Sequence, residues 1–202
     1  AAQLLSQELD TEELREYTSI IIAETDRLRN LVDRMLGPLQ TINNQSVNIH
    51  QVLEHVLAVI GAEIGDKIAL SRHYDPSIPE IEGDREQLIQ AVLNVVRNAM
   101  QALLDSDQAN PVITIKSRIK RSFTIAGVHH KVVCRLEIID NGPGVSEDIK
   151  ERIFFPMISG RREGSGLGLT IAQTAINGHQ GIIECDSEPG NTSFSLYLPI
   201  KV

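Results

Sequence analysis

Apolar residues recur every three or four positions between Thr11 and Leu36: Leu14, Tyr17, Ile21, Leu28, Leu31, Val32 and Met35, with Glu and Arg between them. This spacing predicts a long amphipathic helix. The preceding AAQLLSQEL reads as a shorter helical piece, and Asp10-Thr11 as a cap between the two. Together they predict a helical hairpin over residues 1–40 whose first arm is short. Gly37-Pro38 closes the long helix, and TINNQS follows as a polar linker.

From Val47 the rhythm changes. The pattern predicts a helix over His50–Glu63, a strand over Lys67–Tyr74 and a Pro-containing turn. Asp84 opens a strongly periodic helix, with Gln87 at capping-box distance. Strands over Val112–Arg121 and Lys131–Ile139 join through Ala126-Gly127. A short helix covers Ser146–Ile153, another starts near Leu167, and strands at Gly181–Asp186 and Ser193–Pro199 end the chain. The order is that of an α+β domain over residues 41–202, with antiparallel hairpins rather than strict βαβ alternation.

Composition narrows the function. The 202 residues suit one domain with an appendage, and a 42% hydrophobic content supplies a core that must be aliphatic, since aromatics are 3%. A net charge of −8 argues against nucleic acid as a partner. The basic run KSRIKR, Lys116–Arg121, alternates with Ile113, Ile115 and Ile119 and reads as the charged face of a strand. No apolar run is long enough to cross a membrane as a helix, and no signal peptide is visible. Cys134 and Cys185 sit in strand-like surroundings without metal spacing, which points to a reducing, cytoplasmic compartment. A chain that starts at Ala1 reads as a piece of a longer protein.

Four segments carry candidate chemistry. In LIQAVLNVVRNAMQALL (Leu88–Leu104), Leu88, Ile89, Val92, Leu93, Val96, Ala99, Met100 and Leu103 form an apolar stripe. Asn94 and Asn98 share the other side. Asparagine is a poor helix former, so two in register invite a reading as ligands of a hard cation together with phosphate oxygens. A plain solvated face, with Gln87, Gln90 and Gln101 beside them, is the other reading. In IIDNGPGV a strand ends at Asp140 and turns sharply at Gly142-Pro143-Gly144. That Asp is either an ordinary turn residue or an acceptor for an exocyclic amino group, with the glycines admitting a flat ring. In FFPMISGRREGSGLGL, Gly160, Gly164, Gly166 and Gly168 precede a helix whose free N–H groups suit an anion. Pro156–Gly164 then reads as a lid whose Arg161 or Arg162 reaches an anionic ligand, or as a Gly-rich surface loop. In GNTSFSL, Thr192 enters a strand and is either a base-edge contact or a strand threonine. No P-loop pattern occurs, and GSGLGL does not fit the dinucleotide fingerprint.

The order of these segments, Asn…Asn, DxGxG, FFP, GxGLGL, GxTxF, resembles the N, F and glycine boxes of the histidine-kinase ATP-binding domain. That domain has the Bergerat fold, shared with gyrase-type ATPases and a class of heat-shock chaperones. The resemblance spans about residues 47–200. It implies a two-layer α/β sandwich with a mixed sheet that binds ATP and Mg²⁺. Carried over by motif, Asn98 would coordinate Mg²⁺ and Asn94 would sit by the phosphates. Asp140 would take the adenine amino group in a pocket shaped by Gly142 and Gly144. Gly164, Ser165, Gly166, Leu167 and Gly168 would border the lid and the phosphates, and Thr192 would stand near the base.

AAQLLS, EYTSIIIAETDRLRNLVDRMLGP, FFPMISGRREGSGLGL and the hairpin between Val112 and Ile139 resemble the nitrogen-regulation sensor kinases more closely. That likeness implies a homodimer in the full-length protein, a response regulator of the NtrC type and a PII-type signal protein as partners. The family's acceptor histidine lies in H-E-x-x-N-P. None of His50, His55, His73, His129, His130 and His179 is so placed, and the likeness of AAQLLS to sequence just after that motif implies a cut there. Gyrase-type relatives carry a Glu base where this chain has Asn94, and an amide cannot take a proton from water. A gyrase-like or chaperone-like ATPase and a non-catalytic nucleotide-binding module are the alternatives.

Overall fold

The computed structural model describes residues 43–106, 108–158 and 166–201. The chain divides into units 1–39 and 40–202, and the description concerns the second. The expected helical hairpin over 1–40 and the expected lid from residue 159 onward lie outside the described residues.

The elements run β1 (Gln45–Val47), α1 (Ile49–Ile64), β2 (Ala69–His73), β3 (Ile81–Gly83), α2 (Arg85–Leu104), β4 (Val112–Ile125), β5 (Val128–Asp140), α3 (Glu147–Lys150), α4 (Gly168–Gly178), β6 (Ile182–Glu188) and β7 (Asn191–Pro199). A five-stranded sheet has the order β2-β4-β5-β7-β6. Its β2–β4 pair is parallel and its other pairs are antiparallel, so the sheet is mixed as expected. The β4–β5 hairpin closes on Ala126-Gly127 with both residues at positive φ, matching the right-handed twist of the strands. β1 and β3 form a separate two-stranded sheet. The sequence reading assigned Gln45 and Ser46 to a linker and left Ile81–Gly83 unassigned, because three residues are too few to show a period.

Helices α1, α2 and α4 pack on one face of the large sheet, and one aliphatic core joins them to it. Val52, Leu57, Leu88, Val92, Leu136, Ile138, Ile176 and Phe194 are among its members. Fully burying each such side chain contributes about 1.5–3 kcal/mol. On the opposite face, Ile125, Val133 and Tyr197 form a small cluster under Phe123, with Lys120 over both aromatic rings. Ser117 falls in the inward row of β4 and is fully buried. It is satisfied by His50 Nε2 at 2.9 Å and by the Asp75 N–H at 3.0 Å.

Two details of α2 correct the sequence reading. Ala91 and Val95 are buried with the expected stripe while Leu93 is only half-buried, and Gln87 is buried instead of lying on a solvated face. The helix is covered on two sides, by the sheet and by α4. The N-cap also differs from a capping box. Asp84 Oδ1 accepts the Glu86 and Gln87 N–H groups, but the Gln87 amide donates to Asp84 Oδ2 at 3.3 Å. The backbone N–H of Asp84, which a capping box would engage, donates to His179 Nε2 at 2.8 Å.

Both cysteines are free thiols. Burial pushes Cys134 up to about 12 and Cys185 likewise to about 12. Among the described residues no helix is long and apolar enough to cross a membrane.

Candidate functional site

The site lies where the end of β5 meets the facing ends of α2 and α4. Asp140 is the last residue of β5 and is 2% exposed, held between Ile113 of β4 and Thr192 of β7. The Gly142 N–H donates to Asp140 Oδ1 at 3.0 Å. A Cβ on residue 142 would lie 2.7 Å from that oxygen, so any other residue would have to displace the Asp140 carboxylate. Gly144 sits at φ +86, its α-carbon against the backbone of Glu188. The Gly190 N–H donates to Gly142 O at 2.8 Å and ties the loop to the β6–β7 turn. From the other side, Asn141 Oδ1 accepts the Val112 N–H and its amide donates to Asn110 O, both at 2.8 Å. The loop after Asp140 is therefore fixed before any ligand arrives.

Thr192, 4% exposed, stands beside Asp140 in the ladder. Its hydroxyl meets Ser187 Oγ at 3.0 Å, and that oxygen also accepts the Val145 N–H at 2.9 Å. Ser187 belongs to the site's supporting shell and was not foreseen. A serine in a strand gives no sequence signal, and its link to Val145 comes from the register of β6 on β7. Lys150 Nζ donates to Ser187 O at 2.9 Å from the short α3.

The second half is helical. Gly166 has φ +65 and its carbonyl accepts the Met157 N–H at 3.1 Å; a Cβ there would come 2.6 Å from the Met157 carbonyl carbon. Leu167 is buried at the N-cap of α4, where its own side chain offers no acceptor to the first-turn N–H groups. Thr170 Oγ1 donates to Phe154 O at 2.9 Å, and Phe154 packs edge-on against Phe194, which anchors the FFP segment to the core. Gly168 looks across at Asn94: a Cβ there would lie 3.7 Å from Asn94 Oδ1. Asn94 Nδ2 is buried and has no hydrogen-bond partner. Asn98 stands one turn further along the same face of α2, half-buried like Asn94.

Of the residues singled out in the sequence, Asp140, Gly142, Gly144 and Thr192 thus form one group at the end of the sheet. Asn94, Gly166, Leu167 and Gly168 form another between α2 and α4. Arg161, Arg162, Gly164 and Ser165 lie outside the described residues. Among the described residues no cluster of three or more His, Cys, Asp or Glu side chains could hold a metal by itself. A cation here would need amide oxygens together with oxygens of the ligand. The first group suits a flat ring with an amino donor. The second, with the amides at the start of α4 and an unpartnered amide N–H, suits an anion.

Comparison with known proteins gives the family. Residues 83–202 match the family described as histidine kinase-, DNA gyrase B-, and HSP90-like ATPase. The sensory histidine kinase/phosphatase NtrB of Klebsiella oxytoca is 46% identical over 201 residues, covering 100% of this chain and 57% of the relative. The protein of the same name from Vibrio alginolyticus is 47% identical over 200 residues, 99% of this chain and 57% of the relative. The chain thus spans little more than half the length of these relatives. Among solved structures, the histidine kinase ThkA in complex with the response regulator TrrA superimposes with a TM-score of 0.66 at 25% identity, covering 96% of this chain and 54% of that one.

Proposed function

The chain belongs to the family of histidine kinase-, DNA gyrase B- and HSP90-like ATPases, and we propose that it is the Mg²⁺-ATP-binding catalytic part of a two-component sensor histidine kinase of the nitrogen-regulation branch. The observation that carries this reading is Asn94: its amide N–H is buried without a partner, and its side chain stands opposite Gly168 at the start of α4. A buried unsatisfied donor costs about 1–3 kcal/mol, and a phosphate oxygen between the two helices would satisfy it. That the residue is an amide also separates kinase from hydrolase. Asn94 can donate to a phosphate but cannot deprotonate water.

In this reading the adenine amino group donates to Asp140, while Gly142 and Gly144 let the ring approach the backbone. Thr192 and Ser187 hold the base end of the pocket. The amides of Gly168 and its neighbours face the phosphates, and Asn98 offers its oxygen to Mg²⁺, which supplies charge neutralisation between the phosphate oxygens. Arg161 or Arg162 reaches the triphosphate from the lid bounded by Gly164 and Ser165. The residues of the chain bind and orient; the nucleophile is a histidine supplied from elsewhere in the full-length kinase, for relay to a response-regulator aspartate. The ThkA complex supports a response regulator as partner. We further propose a regulator of the NtrC type, a PII-type signal protein, homodimerisation of the full-length protein and a cytoplasmic location; the likeness to NtrB is what supports these.

The test is a titration of the chain with a fluorescent ATP analogue with and without Mg²⁺, followed by phosphotransfer to a separately supplied acceptor hairpin. Mg²⁺-dependent binding with label on the supplied histidine is the expected result. Fast ATP hydrolysis by the chain alone would point to a gyrase-like ATPase, and absence of binding to an interaction module.

A further inference from the structure

The hydrogen bond between Asp84 and His179 lies at the end of the α2/α4 pair remote from Asn94. Asp84 caps the start of α2 and His179 caps the end of α4. Gly168 starts α4 and meets Asn94 of α2. The two helices therefore run antiparallel and touch at two marked points. The stretches from Asp84 to Asn94 and from Gly168 to His179 both rise about 15–17 Å. The first contact fixes the axial register; the second is where that register matters.

We propose that His179 is a positioning residue for the phosphate end of the nucleotide site: its bond to Asp84 sets how far along α2 the first turn of α4 stands, and so the spacing between the amides at Gly168 and the amide of Asn94. The proposal rests on the ATP-binding reading above. His179 is buried, at 9% exposure, and both its ring nitrogens are engaged. Nδ1 lies 2.7 Å from Ala175 O, one turn back in its own helix, and Nε2 accepts the Asp84 N–H at 2.8 Å. This pattern requires the neutral ring with its proton on Nδ1. One nitrogen fastens the ring to α4 and the other fastens α4 to α2. The ring cannot swing aside easily, because its Cδ2–Nε2 edge lies against Gly83, where a Cβ would come 2.7 Å from Cδ2 and 2.9 Å from Nε2. Between the two ends, α4 buries Ile171, Ala172, Ala175 and Ile176. Such apolar contacts are non-directional, whereas the 2.8 Å hydrogen bond ties one donor to one acceptor and so specifies a single register. The adenine end is independent of this joint, since Asp140 and Thr192 are held by the ladder of β4, β5 and β7.

The test compares His179→Leu, which fills the space and removes the acceptor, with His179→Gln, whose amide oxygen can accept the Asp84 N–H. Affinities for Mg²⁺-ATP and for adenosine are measured at a temperature where circular dichroism shows both variants folded. Expected for His179→Leu is a loss of Mg²⁺-ATP affinity at least about tenfold larger than the loss for adenosine, with His179→Gln returning to within about threefold of the parent. Equal losses for both ligands, or a Gln variant as impaired as the Leu variant, would overturn the proposal. Gly83→Ala, which crowds the ring, stands in if the Leu variant does not fold and should show the same selective loss. A parent chain that binds no ATP would instead refute the functional reading. The register is then judged without nucleotide, from the nuclear Overhauser contact between Gly168 Hα and Asn94 Hβ. That contact should persist in His179→Gln and weaken in His179→Leu; its persistence in both would overturn the proposal.

Discussion

Gly168 and Asn94 face each other across the gap between α4 and α2, with room for one methyl group: a Cβ on residue 168 would stand 3.7 Å from Asn94 Oδ1, an ordinary van der Waals distance. Gly168→Ala should therefore fold and gain about 0.5–1 kcal/mol from helix propensity. The same methyl occupies the space through which a phosphate would approach the helix amides. Mg²⁺-ATP affinity should fall by at least about tenfold while the thermal midpoint rises. A variant that gained stability and kept affinity would remove the phosphates from this gap.

Asn94→Ala and Asn98→Ala should likewise separate binding from stability. Asn94 Nδ2 has no hydrogen bond to lose, and alanine is the better helix former by about 0.5 kcal/mol. Isothermal titration should show Mg²⁺-ATP binding nearly abolished in Asn98→Ala, the metal-ligand change, and weakened with or without Mg²⁺ in Asn94→Ala. Unchanged binding in either would withdraw the role given to that residue.

Asp140→Asn should weaken ATP and ADP alike, by about 1.5–3 kcal/mol, because both share the adenine contact. In the parent, GTP, which lacks an amino donor at that ring position, should bind poorly. Competition titrations with ATP, ADP and GTP check both statements. Equal affinity for ATP and GTP would end the adenine-reading role.

Much of the site was legible because its residues are ones the backbone needs for other reasons. Gly142, Gly144 and Gly166 stood out as glycines, and the structure gives the steric cause of each. Asp140 stood out at a strand end. Residues that act through distant partners left no trace in the sequence. His179 is an example: its partner Asp84 lies 95 positions away. Ser187 looked like any strand serine. Gln87 was placed on a solvated face because its spacing matched Gln90 and Gln101. Its burial comes from the start of α2, where it bonds to the cap and helical periodicity no longer decides exposure. The two three-residue strands were invisible for want of length.

The end of α4 offers a stability prediction. Gln180 has φ +58, the Gln180 N–H donates to Asn177 O, and the Gly181 N–H donates to Ile176 O. These are the two bonds of a Schellman cap, with glutamine where glycine is preferred. Gly181 cannot be exchanged, because a Cβ there would meet Tyr197 O at 2.3 Å. Gln180→Gly should stabilise by about 0.5–1 kcal/mol and raise the thermal midpoint by about 2–3 °C without altering nucleotide affinity. A lower midpoint by scanning calorimetry would contradict the left-handed cap.

Asp84 gives the chain an acid-sensitive joint. Burial alone would raise its carboxyl, but the N–H groups of Gln87, Asn43 and Glu86 outweigh that and hold it below the usual carboxylate range. A depressed folded value means that the ionised group stabilises the fold above the unfolded value of about 3.9, and that this contribution is lost as pH falls through the folded value. Asp84→Asn keeps an acceptor for the cap and removes the titration. Urea unfolding from about pH 2 to 6 should show parent and variant converging at the acid end and separating to a constant gap above about pH 5. Parallel curves would mean that Asp84 does not report on acid stability.

The two thiols have a practical consequence. Nucleophilic attack on a maleimide needs thiolate, and with both cysteines pushed up to about 12 almost none exists at neutral pH. Both thiols should therefore react slowly with such reagents at neutral pH. A single cysteine placed at Phe155, which is 58% exposed beside the entrance to α4, would react ahead of them and carry the fluorophore. Nucleotide arrival could then be followed in real time on an otherwise native protein.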